Sequence, residues 1–173
     1  MTGLEKLEEV MKHKAVLLDT SFFLRFLNDA DPLFTNADSY FRYFLEQDIV
    51  MIISTISIAE YCVGGDVHEL PLKNLQILPF NLDHSKRTGK FAKIVFQNKN
   101  KLKLNERNII PNDTKLFAQA DTETTIEYYL SSDTESHKIY SLLKQETNPR
   151  FQFIDLNTPY SETFGVLPFL TEP

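Results

Sequence analysis

Five short stretches of the chain are apolar or rich in strand formers, and between them apolar residues recur at helical spacing. Residues 15–18 and 49–53 are unbroken apolar runs. Such runs suit strands covered on both faces, as in a parallel sheet. Residues 75–80 are a weaker strand candidate, because Pro79 points to an edge or a strand end. Residues 125–130 are rich in strand formers, and residues 151–156 make the last strand.

The helical patterns fall in the gaps. Phe22, Phe23, Leu24, Phe26 and Leu27 predict a helix over 20–28. A second is predicted over 33–47, with Phe34, Ala37, Tyr40, Phe41, Phe44 and Leu45 on its inner face. Ser54 and Thr55 open a third, which stops at Gly64 and Gly65. Asp83 is placed to cap a basic helix over 84–97, and 97–111 reads as a surface loop. Asn112 is placed to cap a helix running through Ala120. A further helix follows Asp133 to about Gln145 and is broken by Asn148 and Pro149. A short amphipathic helix over 4–12 precedes the first strand. The tail, 157–173, holds three of the eight prolines and is expected to be irregular. Strands alternating with helices predict an α/β fold with a parallel sheet, helices on both faces and right-handed crossovers.

A length of 173 residues suits one domain over 1–173. No apolar run approaches the roughly 20 residues needed to span a bilayer. The first residues lack a signal-peptide core. The single cysteine, Cys62, excludes an internal disulfide. These features together lead us to expect a cytoplasmic protein. Cys62 lies in the apolar run 56–63 and is expected to be a small buried side chain.

The net charge of −6 argues against nucleic acid as a partner, but its distribution argues for it. Lys86, Arg87, Lys90, Lys93, Lys99, Lys101, Lys103 and Arg107 face only Glu106 in residues 86–107. That is either the footprint of a phosphate-bearing partner or a solvated, lysine-rich face.

Four acids stand where chemistry could use them. Asp19 ends the first strand, where open α/β sheets hold ligands. An acid there can equally cap the following helix. Glu60 lies in the helix after the second strand, amid apolar neighbours. Asp113 is in the first turn of the helix before the fourth strand, with Asp121 its rival. Asp133 follows the fourth strand, with Glu135 its rival. Clustered carboxylates stay ionised only beside a cation. Oxygen ligands without His or Cys favour Mg²⁺ or Mn²⁺. Such sites suit phosphoryl chemistry, in which an ion activates water and stabilises the leaving oxygen. The four histidines, His13, His68, His84 and His137, are expected on the surface, with His137 one turn beyond Asp133.

In order along the chain, four motifs resemble those of the PIN-domain ribonucleases, most like the VapC-type toxins of bacterial toxin–antitoxin pairs. They are Val-Leu-Leu-Asp19-Thr-Ser, Ser54-Thr-Ile-Ser-Ile-Ala-Glu60, Asn112-Asp113-Thr-Lys-Leu-Phe-Ala118-Gln-Ala120 and Tyr-Leu-Ser131-Ser-Asp133. The likeness covers about 14–156. The third motif departs by its Asn-Asp-Thr-Lys sequence. The fourth departs by lacking a basic residue between the hydroxyl residue and the Asp.

The resemblance implies a three-layer α/β/α fold with a five-stranded parallel sheet ordered 3-2-1-4-5. It implies Asp19, Glu60, Asp113 and Asp133 as catalytic, metal-holding residues, with Thr20, Ser21 and Ser131 supporting them. It implies endonucleolytic cleavage of single-stranded RNA to 5′-phosphate and 3′-hydroxyl ends. Lys86, Arg87, Lys90, Lys93 and Asn112 are the candidates for holding RNA, although an N-cap explains Asn112 fully. RNA and an antitoxin protein are the implied partners, a homodimer is left open, and no membrane is involved. Two alternatives stand beside this: a catalytically impaired RNA-binding or assembly module of the same fold, and a housekeeping RNA-processing nuclease. A haloacid-dehalogenase-like phosphatase needs a second Asp at position 21, where this chain has Ser21.

Overall fold

A computed structural model of the chain describes residues 13–102 and 109–166. Five strands make one all-parallel sheet in the order β3-β2-β1-β4-β5. These are β1 (Ala15–Leu18), β2 (Val50–Ser54), β3 (Gln76–Leu78), β4 (Ile126–Ser131) and β5 (Gln152–Asp155). Seven helices flank it: α1 (Thr20–Phe26), α2 (Phe34–Glu46), α3 (Thr55–Tyr61), α4 (Leu82–Leu102), α5 (Ile109–Thr122), α6 (Thr134–Glu146) and α7 (Tyr160–Thr163). This is the three-layer PIN-like α/β/α arrangement.

The period of two along each strand sorts the layers. Ala15 and Leu17 face Phe91 and Val95 of α4, Leu116 and Phe117 of α5, and Ile139 and Leu143 of α6. Val16 and Leu18 face Phe22 and Phe23 of α1 and Tyr40 and Phe44 of α2. With both faces covered, β1 is buried throughout, which is why its sequence runs apolar without alternation. The same parity places the polar ends. Leu18 pairs with Ile53 and Leu130, so Asp19, Ser54 and Ser131 come next in register, on the face of α5 and α6. Ser54 there donates to Gln119 Oε1 of α5 at 2.6 Å.

Several expectations need correcting. Asn81, not Asp83, caps α4: its Oδ1 accepts from His84 N at 3.0 Å. The residues read as loop at 97–102 are the last turns of α4, and 109–111 begin α5. Pro111 fits there because a first-turn N–H has no helical acceptor to lose. Asn112 is therefore inside α5 rather than capping it. Leu45 is 46% exposed, near the end of α2. Cys62 is exposed, because α3 ends at Tyr61 and the chain turns outward toward Gly64. His84 is fully buried and bonds Glu123 at 2.8 Å.

Part of the tail is ordered. α7 docks on α2, where Phe164 stacks on Tyr43 at 4.6 Å and Tyr40 donates to Thr158 O at 2.8 Å. The helix expected over 4–12 and the last residues, 167–173, lie outside the described residues. Among the described residues, no helix is long and apolar enough to cross a membrane.

Candidate active site

Asp19 holds the N-cap position of α1, yet its side chain caps nothing. Its Oδ2 instead accepts from Ser21 Oγ at 2.7 Å and Ser131 Oγ at 2.8 Å. Ser21 also accepts from Ser132 N at 3.0 Å, and Ser131 accepts from Asp133 N at 3.0 Å. These bonds tie the carboxyl ends of β1 and β4 together through two hydroxyls and one carboxylate. Ser21 and Ser131 thus both bond Asp19, whereas Thr20 bonds Glu60.

Glu60 points inward from the second turn of α3. Thr20 Oγ1 donates to its Oε2 at 2.5 Å, and Asn112 Nδ2 donates to its Oε1 at 2.6 Å. Asn112 therefore joins α5 to α3 through a carboxylate, a role its reading as a cap hid. Lys115 Nζ reaches Asn112 Oδ1 at 3.5 Å and brings a positive charge to the same rim. Asp133 caps α6, its Oδ1 accepting from Glu135 N at 2.7 Å and Ser136 N at 3.3 Å.

Asp113 is the outlier in energy. It is 6% exposed, and its Oδ2 has no hydrogen-bond partner among the described residues. Burial first, then the charges of Asp19 and Asp133, push its pKa up to about 8. A buried carboxyl among like charges holds its proton because ionisation would add to an unscreened repulsion.

Asp19, Thr20, Ser21, Glu60, Asn112, Asp113 and Asp133 all line one cavity of about 300 Å³, closed by Leu24 and Leu116. Four carboxylates on four different elements meet there, at the carboxyl end of the sheet. Of their rivals, Asp121 pairs with Arg87 at 2.6 Å, and Glu135 gives Oε1 to Lys138 at 2.5 Å while its Oε2 is buried without a partner among the described residues. As they stand, no three of the described Asp, Glu, His or Cys side chains are close enough to grip an ion. His137 turns away and stacks on Phe153 at 4.9 Å.

The residues expected to hold RNA on the basic helix do not all lie beside the acids. α4 and α5 are antiparallel, with His84 beside Glu123 and Arg87 beside Asp121. The first turns of α4 therefore lie at the end of α5 remote from Asp113. Lys86, Lys90 and Lys93 are exposed. Arg87 is committed to Asp121 and lies 4.4 Å over the Phe91 ring. Counting along the two helices, Lys93 stands level with Lys115, and Lys86 with Thr122. Lys103 and Arg107 lie outside the described residues, as do the side chains of Lys99 and Lys101.

No protein-family model matches the chain, and neither does any curated protein. Solved structures do. FitAcB from Neisseria gonorrhoeae matches with a TM-score of 0.58 at 14% identity, over 82% of this chain and 97% of that one. VapBC2 from Rickettsia felis, bound to a DNA fragment from its promoter, matches with a TM-score of 0.53 at 14% identity, over 82% and 99%. DNA-bound VapBC from Salmonella typhimurium matches with a TM-score of 0.50 at 16% identity, over 83% and 98%. At these identities the likeness establishes the PIN-like fold, whose solved neighbours are VapC-type proteins.

Proposed function

We propose that this protein is a metal-dependent endoribonuclease that cleaves single-stranded RNA, acting as a VapC-like toxin restrained by an antitoxin partner. One observation carries the reading: Asp19, Glu60, Asp113 and Asp133 line a single cavity at the carboxyl end of the sheet. The donor set suits Mg²⁺ or Mn²⁺, being all oxygen and anionic. The buried Oδ2 of Asp113, unpartnered among the described residues, fits a cation at this place. Asp19, Glu60, Asp113 and Asp133 would hold the ion. When bound, the ion would polarise the scissile phosphate and activate water.

The chain's own groups supply the rest. Ser21 and Ser131 fix Asp19 by donating to one oxygen and leave its other oxygen to the cavity. Thr20 and Asn112 fix Glu60 differently, one donating to each of its oxygens. Leu24 and Leu116 supply the apolar part of the lining. Lys115 and Lys93 would steady the RNA backbone nearby, with Lys86 and Lys90 farther along. The antitoxin part of the reading rests on likeness to structures described as DNA-bound VapBC assemblies.

Asp19→Asn tests the chemistry. The asparagine carbonyl can still accept from Ser21 or Ser131, so the fold should persist while RNA cleavage is lost. Wild-type-like cleavage by this variant, on any RNA the parent cuts, would refute the site.

A second reading draws on Glu60, both of whose oxygens are already engaged. Were these bonds kept, the protein would be an RNA-binding or assembly module of the same fold. Mn²⁺ titration separates the two. Heat of binding and a raised melting temperature belong to the nuclease, and their absence at millimolar Mn²⁺ to the module.

A further inference from the structure

Among the described residues, two hydroxyls and one oxygen of the carboxylate cluster are buried without a hydrogen-bond partner: Tyr129 Oη, Ser136 Oγ and Asp113 Oδ2. Tyr129 and Ser136 are both fully buried. Their placement follows from register. Tyr129 is two residues before Ser131 on β4, so it shares the face that carries Asp19. Ser136 is three residues after the cap residue Asp133, in the first turn of α6.

The groups act on one another. The charges of Asp19 and Asp113 both reach the Tyr129 phenol, and the Ser136 hydroxyl neighbours Asp113 and Tyr129 alike. Even so, none of these approaches attains hydrogen-bonding geometry. The other buried phenols among the described residues are served: Tyr140 donates to Phe151 O at 3.1 Å, Tyr40 to Thr158 O at 2.8 Å and Tyr61 to Glu69 Oε2 at 2.8 Å. A buried hydroxyl left without a partner costs about 1–3 kcal/mol. A phenylalanine at 129 would fill the same space without that penalty.

We infer that Tyr129 and Ser136 are positioning residues of the cation site, whose hydroxyls donate to Asp113 and Asp19 once those carboxylates gather as anions around a divalent cation. This rests on the reading of the cavity as a metal-dependent site. A carboxylate drawn toward a cation accepts strongly from a hydroxyl beside it. Loading the site would therefore give both buried hydroxyls an acceptor. Groups that orient metal-holding side chains from behind are commonly worth about 10–100-fold in metal affinity.

The test compares wild type, Tyr129→Phe, Ser136→Ala and the control Tyr140→Phe by thermal melting in chelator and by calorimetric titration with Mn²⁺. Tyr129→Phe should melt at or above wild type in chelator, yet bind Mn²⁺ about 10-fold more weakly. Ser136→Ala should also bind Mn²⁺ more weakly. Tyr140→Phe, which loses the bond to Phe151, should melt lower and bind Mn²⁺ as wild type does. A purely structural hydroxyl would move melting without moving affinity. Wild-type Mn²⁺ affinity in either variant overturns the role of its residue, and should one variant fail to fold, the other decides. A wild-type protein that ignores Mn²⁺ overturns the metal-dependent reading itself and this inference with it.

Discussion

The two aspartates of α5 are equally buried, at 6% exposure each, and live in opposite surroundings. Asp121 gives one oxygen to the Arg87 guanidinium and the other to Arg150 N at 2.7 Å. Asp113, eight residues and about 12 Å up the same helix, faces Asp19 and Asp133 and keeps one oxygen unpartnered. At Asp121 a buried acid has been neutralised by folding. At Asp113 folding has brought like charges together and left the neutralisation undone. The first arrangement holds the foot of the sheet to α4; the second is worth keeping only if something outside the chain completes it. The difference also separates two aspartates that share one helix and were rivals for the same role, of which only Asp113 lies in its first half.

The largest expected effect comes from removing the ionisable group at the strained end. Folded Asp113 keeps its proton up to about pH 8, while an unfolded chain releases it near the ordinary value of 3.8. Between those values the folded state binds more protons, so this residue's contribution to stability is whole below about pH 4 and falls as pH rises toward 8. The slope can reach about 1.4 kcal/mol per pH unit. Asp113→Asn cannot ionise. In chelator, urea denaturation of the variant should show a flatter profile between pH 5 and 8, and greater stability than wild type at pH 8. A wild-type profile in the variant would mean that the two ends of α5 do not differ as argued.

Arg87→Ala is the opposite experiment. It strands Asp121 as a buried charge and removes the packing on Phe91. A loss of about 2–4 kcal/mol is expected, read as a lower denaturation midpoint at unchanged m-value. Mn²⁺ affinity should stay as it was, because the cavity lies at the other end of the helix.

Much of this contrast could be read in the chain, and the unread part has a physical reason. The unbroken run at Ala15 to Leu18 announced a strand buried on both faces, and the parity of that strand carries Asp19 to the site. Asp19 and Asp133 stood out because each closes or follows a strand, a local signature, whereas Glu60 and Asp113 stood out as acids in helix turns within motifs resembling a known family's. What stayed hidden depends on pairing across distance. Asn112 read as a cap because cap chemistry is local, whereas its bond to Glu60 spans 52 residues. Arg87 read as a phosphate ligand because nothing nearby in sequence told of Asp121. His84 read as surface because its partners, Asn81 and Glu123, come from a cap and a distant helix end. Tyr129 looked like any strand former, and only the geometry behind Asp19 sets it apart.

Asp133 stands between the two extremes, since it is both a cap and part of the cavity wall. Asp133→Ala should lose about 1 kcal/mol with the two N–H groups it leaves bare. Asp133→Asn keeps an acceptor, so its stability should stay within a few tenths of a kcal/mol of wild type. Both should weaken Mn²⁺ binding. If the alanine variant loses stability and neither loses Mn²⁺ affinity, Asp133 belongs with Asp121 as a structural acid.

The smallest effect tests whether the contrast between the ends extends to the surface. Lys93 and Lys86 are both exposed on α4, about 10 Å apart along its axis. Lys93 is level with Lys115, close to the Asp113 end; Lys86 is at the Asp121 end and already meets Asp83 at 3.3 Å. On the proposed function, RNA seated at the carboxylates would reach Lys93 before Lys86. Lys93→Glu should therefore lower RNA affinity and reduce the salt slope, by about 0.7 for each phosphate of a single strand that is no longer neutralised. Lys86→Glu should change either quantity less. Anisotropy titrations of a short single-stranded RNA at two salt concentrations measure both. Equal effects in the two variants would mean that RNA follows the whole of α4 as one basic track. A larger effect at Lys86 would place its path at the foot of the sheet, away from the acids, and detach RNA binding from the cavity altogether.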